Sequence, residues 1–161
     1  MADNGSGIPA AELALAIERH ATSKLDRTED LFRIVTLGFR GEALASIGSV
    51  ARMTITSRTA ASPAGARLRV EGGNVDELQV TGAPVGTIVR VEDLFYNIPA
   101  RLKFLKQEAT ERRLIDNLVT RYAVAYPRVR FHLTQEGRSS LQTSGRGERR
   151  EVLVCNDERP S

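Results

Sequence analysis

Gly38-Phe39-Arg40-Gly41-Glu42-Ala43-Leu44 is the stretch from which the rest of the chain can be read. Its two glycines stand three positions apart, directly before Glu42-Ala43-Leu44-Ala45-Ser46-Ile47, a run of good helix formers. The first turn of such a helix presents unpaired N–H groups and the positive end of its dipole. Glycine on the approach lets a bulky anion come near the backbone, so the segment suits a phosphate cradle, with Arg40 adding a planar charged fork. The same residues also suit a plain loop-to-helix junction. Local physics leaves both open.

Upstream, Asp3-Asn4-Gly5-Ser6-Gly7-Ile8 is a turn built from residues that tolerate unusual backbone angles. Gly5 and Gly7 would let a ligand ring lie against the backbone, and Asp3 could accept a hydrogen bond from an exocyclic amine. An Asp-Asn-Gly string is equally an ordinary turn. Pro9 suits the first turn of a helix that Leu13, Ile17 and Ala21 continue as an apolar stripe, with Ala16 and His20 beside it. With two histidines in the chain, a histidine-rich metal site is excluded. Ala21-Thr22-Ser23-Lys24 closes the helix with two hydroxyls and an ammonium. Such groups hold phosphate oxygens, and a lysine there equally favours the end of the helix dipole.

Beyond the glycine-rich helix the apolar period switches to two. Met53 and Ile55 face one way and Arg52, Thr54, Thr56 and Arg58 the other, as in a half-buried strand. Leu68 and Val70 alternate with Arg67, Arg69 and Glu71, and Gly72-Gly73-Asn74 turns this strand into a third over 75–80. A further turn at 81–86 leads into Thr87-Ile88-Val89-Arg90-Val91. Short turns at this spacing predict antiparallel neighbours. Pro99 starts a short helix after Asn97, with Arg101, Lys103 and Lys106 as a basic cluster. A longer helix over 110–126 carries Leu114, Leu118, Tyr122 and Ala125 as its stripe and stops at Pro127. Val129, Phe131 and Leu133 form another strand, which Gly137 turns into one over 139–143.

The 161 residues can bury one core and are short for two. A hydrophobic share of 41% with 27% charged residues is ordinary for a globular protein. The lone Cys155 excludes an internal disulfide and fits a reducing cytoplasm. No run approaches the roughly 18 apolar residues of a membrane helix. The net charge of +3 is uneven: residues 1–94 hold 10 Lys/Arg against 12 Asp/Glu, and residues 95–161 hold 13 against 8. A basic second half suits a polyanion and equally a solvated arginine-rich surface.

GFRGEAL, as it stands at Gly38 to Leu44, resembles the hallmark string of the MutL family of DNA mismatch-repair ATPases. Asp3-Asn4-Gly5-Ser6-Gly7-Ile8, Ala21-Thr22-Ser23-Lys24 and Asn97-Ile98-Pro99-Ala100-Arg101-Leu102-Lys103-Phe104-Leu105 resemble further blocks of that family, in kind and order. The resemblance runs from about residue 3 to about residue 153. It implies an α/β two-layer sandwich of the GHKL (Bergerat) ATPase type, a mixed and mostly antiparallel sheet with helices on one face. Here that fold lacks its N-terminal strand and helices, so a sheet edge is expected to be unpaired. The expected domain is a partial ATP-binding domain over 1–150, with a truncated linker or divergent tail at 151–161.

The resemblance also implies ATP as ligand. Asp3 would read the adenine amino group, Gly5 and Gly7 would line the base pocket, and Thr87 would lie against the adenine and its bound water. Thr22, Ser23 and Lys24 belong to a lid that touches the phosphates, and Gly38, Phe39, Arg40, Gly41, Glu42, Ala43 and Leu44 form the cradle. DNA contacts are expected from Arg101, Lys103, Lys106, Arg112 and Arg113. The partners implied are DNA, a mismatch-recognition protein, a downstream nuclease or helicase, and a second protomer in a homodimer or heterodimer. A bacterial cytoplasmic location, nucleoid-associated during repair, and no membrane are expected.

Hydrolysis needs a general base and a divalent metal across the phosphates. The family supplies a glutamate base and an asparagine ligand for magnesium from a helix upstream of the Asp-Asn-Gly block. Here only Met1 and Ala2 precede Asp3, so no catalytic residue is assigned and the chain is expected to be a family fragment. Glu42 fits dipole stabilisation better than proton abstraction. The function expected is ATP binding in a mismatch-repair protein whose ATP-driven closure relays mismatch recognition to downstream enzymes. The alternative is a non-catalytic nucleotide- or DNA-binding remnant. A topoisomerase-like branch of the superfamily is disfavoured by the full GFRGEAL string. A nicotinamide-cofactor protein is disfavoured because no Gly-x-Gly-x-x-Gly opens a helix after a strand.

Residues 101–130 hold 8 basic and 3 acidic side chains and are expected to face DNA. Apparent DNA affinity should then fall steeply with salt and weaken on Arg101→Glu or Arg112→Glu. A flat salt response in a binding titration would refute this.

Overall fold

The alternation at residues 52–58 becomes an inner strand of a six-stranded sheet. The computed structural model describes residues 1–18, 43–150 and 152, and the chain divides into two units, Met1–Lys103 and Phe104–Ser161. The first unit holds β1 (Ala2–Asp3), two 3-10 turns (Ala10–Glu12 and Leu15–Ile17) and α1 (Ala43–Gly48). It continues with β2 (Arg52–Arg58), β3 (Gly65–Glu71), β4 (Asn74–Val75), β5 (Gln79–Thr81), β6 (Gly86–Glu92) and α2 (Pro99–Leu102). The strand order is β1-β6-β2-β3-β4, with β5 also on β3, and each pairing is antiparallel.

One face of this sheet is apolar because β2 and β3 alternate in phase. Met53 and Ile55 of β2 are buried with Ala66, Leu68 and Val70 of β3, and Val89 of β6 packs beside them opposite Ile55. Ile8, Leu13 and Ile17 from the N-terminal turns, with Leu44 and Ile47 of α1, cover that face as a second layer. The two-layer α/β architecture expected from the sequence is present. The opposite face carries paired charges. Arg52 bonds Glu71 and Asp93, Arg69 bonds Glu71, and Arg90 bonds Glu92. The Arg52 hydrogen bond is the main reason the Glu71 carboxyl sits below its ordinary range. The Arg52 guanidinium also lies 4.9 Å from the Tyr96 ring centroid, tying the loop after β6 to the start of β2.

Several details differ from the sequence reading. The helix expected from Pro9 to Ala21 is, among the described residues, two 3-10 turns with i→i−3 bonds from Glu12 to Pro9 and Leu13 to Ala10. Pro9 stands before the first turn, with ψ of 143°, rather than inside it. The buried stripe of Leu13 and Ile17 survives in these turns. The strand expected over 75–80 is split into β4 and β5. Residues 76–78 lie between them outside either strand, with the Asp76 N–H still donating to the Arg69 carbonyl oxygen at 2.9 Å; Asp76 and Glu77 are poor strand formers. β6 does not lie beside β5 but crosses to the far side of β2, where it pairs along seven positions from Arg52↔Glu92 to Arg58↔Gly86. The outer edge of β6 carries β1 at Ala2↔Ile88 and Asp3↔Thr87.

The second unit consists of α3 (Glu108–Ala125) and the hairpin of β7 (His132–Gln135) and β8 (Arg138–Gln142). Glu136 and Gly137 both have positive φ, as a two-residue hairpin turn requires. Its core is Ala123, Leu141 and Val152, with Val119, Val124, Phe131 and Leu133 around it. The stripe expected to face inward on α3 is therefore the wrong one: Leu114, Leu118 and Tyr122 are exposed. The small face of Val119 and Ala123 lets the hairpin approach the helix closely, which the larger residues would prevent.

Ile55→Ala, at a fully buried position between Leu68 and Val89, should cost about 3 kcal/mol. A urea midpoint falling at unchanged slope is the expected readout. A loss under about 1 kcal/mol would show that this row is not the core.

Candidate functional site

Strand β1 ends at Asp3, and its pairing with Thr87 sets the carboxylate beside the start of β6. Asp3 Oδ1 accepts the Gly5 N–H at 2.9 Å and the Thr87 N–H at 3.2 Å. The first of these is the Asx turn that an aspartate makes with the N–H two residues on. The second anchors the carboxylate to the sheet. Oδ2 has no partner among the described residues, and Asp3 is exposed, so that oxygen remains an acceptor for a ligand N–H.

Two close approaches in this corner require glycine. Gly7 has φ of 75°, and a Cβ there would stand 2.1 Å from the carbonyl oxygen of Arg58 at the end of β2. Gly86 has φ of 119°, and its Cβ would stand 2.1 Å from the carbonyl oxygen of Asp3. The turn after β1 therefore lies directly on the backbones of β2 and β6.

Ser57 holds these pieces together. It continues the core row of Met53 and Ile55 and is 1% exposed. The Ile8 N–H donates to its Oγ at 2.8 Å, the Gly86 carbonyl oxygen lies at 2.9 Å, and Thr87 Oγ1 also lies at 2.9 Å. One hydroxyl thus joins the N-terminal turn, β2 and β6. The sequence reading missed it. The signal was available: the period-two phase that buries Met53 and Ile55 also buries position 57, where a hydroxyl must find partners.

The predicted site residues divide three ways. Asp3, Gly5, Gly7 and Thr87 come together as described. Thr22, Ser23, Lys24, Gly38, Phe39, Arg40, Gly41 and Glu42 lie outside the described residues. Ala43 is exposed at the start of α1 as described, while Leu44 packs against the core beside Ile47. Of the expected DNA contacts, Arg101 and Lys103 belong to the first unit and Lys106, Arg112 and Arg113 to the second. The Arg101 guanidinium lies 5.7 Å from the Phe95 ring centroid. Arg112 is hydrogen-bonded to Glu108 and Glu136, chiefly Glu108, which pushes its pKa upward. Lys103, Lys106 and Arg113 are exposed.

A wide concavity of about 620 Å³ lies on the other face of the sheet, lined by Thr54, Thr56, Arg67, Arg69 and Arg90 among others. Its walls are a solvated strand surface, away from Asp3 and Ser57, and three of its arginines, Arg52, Arg69 and Arg90, are already paired with carboxylates. Among the described residues no group of three or more His, Cys, Asp or Glu side chains could hold a metal ion. Among them, too, no helix is long and apolar enough to cross a membrane.

No protein-family model matches the chain. Individual proteins do. It is 47% identical over 153 residues to a DNA mismatch repair protein MutL of Lactococcus lactis, covering 95% of this chain and 23% of that protein. It is 49% identical over 146 residues to the MutL of Dictyoglomus thermophilum, covering 91% of this chain and 25% of that protein. Among solved structures, the Aquifex aeolicus MutL ATPase domain complexed with ADP superposes with a TM-score of 0.73 at 36% identity. That match covers 98% of this chain and 55% of the Aquifex chain. The N-terminal domain of a DNA repair protein superposes at 0.71 with 27% identity, covering 96% of this chain and 46% of its own.

The close approach at Gly86 is testable. Gly86→Ala should push β1 off β6 and cost about 2 kcal/mol in urea unfolding, with faster amide exchange at Thr87. Unchanged stability and protection would mean that Asp3 does not lie against this glycine.

Proposed function

Since the chain belongs to the MutL family of DNA mismatch repair proteins, spanning 23% of the Lactococcus relative's length, we propose that it is the ATP-binding part of such a protein. The observation that carries this reading is the Asp3 carboxylate. One oxygen is fixed by the N–H groups of Gly5 and Thr87, and the other is left to accept. A fixed acceptor beside glycine backbone suits the exocyclic amine of adenine, which donates at the position where a 6-oxo purine accepts. The Aquifex domain that shares this fold is complexed with ADP, a ligand of the same class.

In this reading Gly5 and Gly7 line the base pocket and Thr87 stands beside Asp3 against the ring. Thr22, Ser23 and Lys24 act as the lid over the phosphates. Gly38, Phe39, Arg40, Gly41 and Glu42 cradle them, and Ala43 and Leu44 carry the cradle into the helix. ATP held between lid and cradle closes the domain, and closure of a paired protomer on DNA passes mismatch recognition to a downstream nuclease or helicase. Magnesium would offset phosphate charge when bound. The described residues hold no donor cluster for it, and the family resemblance puts its ligand upstream of Asp3.

Asp3→Asn presents an amide that brings its own N–H donors toward the adenine amine. ATP binding measured by calorimetry should weaken by at least about tenfold, because a donor–acceptor match becomes a donor–donor mismatch. Equal affinity in the two proteins would overturn the adenine assignment.

A further inference from the structure

The Ser57 hydroxyl has three neighbours within hydrogen-bond distance and only one proton to give. The Ile8 N–H can only donate, so Ser57 Oγ accepts there at 2.8 Å. The Gly86 carbonyl can only accept, so Oγ donates there at 2.9 Å. That uses the single proton. The 2.9 Å contact with Thr87 Oγ1 then has one polarity left, in which Thr87 donates to Ser57.

We propose that Ser57 is a positioning residue that takes up the Thr87 hydroxyl proton, so that Thr87 and Asp3 together face the ligand as acceptors only. Such a pair matches an amino group at the purine 6-position, which brings two protons, directly or through a water. It opposes a 6-oxo group, which brings none. The inference rests on the nucleotide reading above and adds to it the device that sets the polarity of Thr87. Burial makes the device firm. Ser57 is 1% exposed, and turning its proton toward Thr87 would leave the Gly86 carbonyl without that donor. Thr87 is half-buried beside the Asp3 carboxylate, whose Oδ1 already accepts the Thr87 N–H. The backbone of Thr87 is thus fixed by Asp3 and its side chain by Ser57.

Removing Ser57 Oγ frees the Thr87 proton to turn toward a ligand oxygen. The experiment measures calorimetric Kd values of ATP and inosine triphosphate for the chain itself, for Ser57→Ala, for Thr87→Val and for the double variant. Unfolding curves accompany each protein. The parent should favour ATP by at least about tenfold. Ser57→Ala should narrow that ratio about three- to tenfold, mainly by improving inosine triphosphate. Thr87→Val, which keeps the shape and loses the acceptor, should narrow it by weakening ATP. The double variant should match Thr87→Val alone, because Ser57 acts through that hydroxyl.

A Ser57→Ala protein that weakens both nucleotides equally would overturn the proposal, because a purely structural serine does that. If Ser57→Ala does not fold, Ser57→Cys, whose thiol is only a weak acceptor for the Thr87 proton, takes its place: a narrowed ratio sustains the proposal and an unchanged one overturns it. A parent that binds neither nucleotide would overturn the nucleotide reading as well. A parent that prefers ATP, with a ratio that neither variant moves, overturns the roles of Ser57 and Thr87 and leaves the Asp3 assignment standing.

Discussion

The row Met53, Ile55, Ser57 along one face of β2 is the constraint on which the rest of the first unit depends. Two apolar positions set the core, and the third, in the same phase, is a hydroxyl. A sheet has a period of two, so burying Met53 and Ile55 commits Ser57 to the same side. Buried there, its oxygen must be hydrogen-bonded, and the partners that satisfy it are the N-terminal turn and the start of β6. The core and the candidate site are thus successive inward-facing positions of one strand. Where apolar packing gives out, hydrogen bonding takes over.

Close backbone approaches and hydrogen bonds hold the corner together although much of it is exposed turn. Gly7 rests on the Arg58 carbonyl and Gly86 on the Asp3 carbonyl, each too close for any Cβ. Asp3 Oδ1 is committed twice, to Gly5 and to Thr87. A ligand that meets such a corner finds its acceptor already aimed, so little ordering entropy is lost on binding. The same features make the corner intolerant of side chains at two glycines, which is a stability cost accepted for close backbone approach.

How much of this was legible in the sequence depended on whether a signal was local. The strands β2, β3 and β6 were readable because period-two alternation is written in consecutive residues. The glycine-rich turn at Asp3 was readable for the same reason, and its family resemblance gave Asp3 and Thr87 a common role. The order of strands was not readable. β6 leaves β5 and joins β2, a choice made by the match of Val89 to Ile55 and of Thr87 to Ser57 across a long sequence separation. The inward face of α3 was not readable either, because that helix has two apolar stripes. The stripe of larger residues, Leu114, Leu118 and Tyr122, stays outside, and the small one at Val119 and Ala123 packs. Hydrophobicity alone favours the larger set; closeness to the hairpin favours the smaller.

Charge shows the same limit of local reading. A window over 101–130 counts 8 basic residues against 3 acidic ones and treats each cation as available. The fold then brings in Glu136, from outside that window, to share Arg112 with Glu108. Arg101 meanwhile spreads over Phe95. Surface pairs of this kind are worth little individually, so a phosphate can displace them. It must nonetheless compete with two carboxylates for Arg112, where at Lys103, Lys106 and Arg113 it competes with water alone among the described residues. The cations that matter to a polyanion are therefore those left over after the fold has paired the rest, and a count along the sequence cannot identify them.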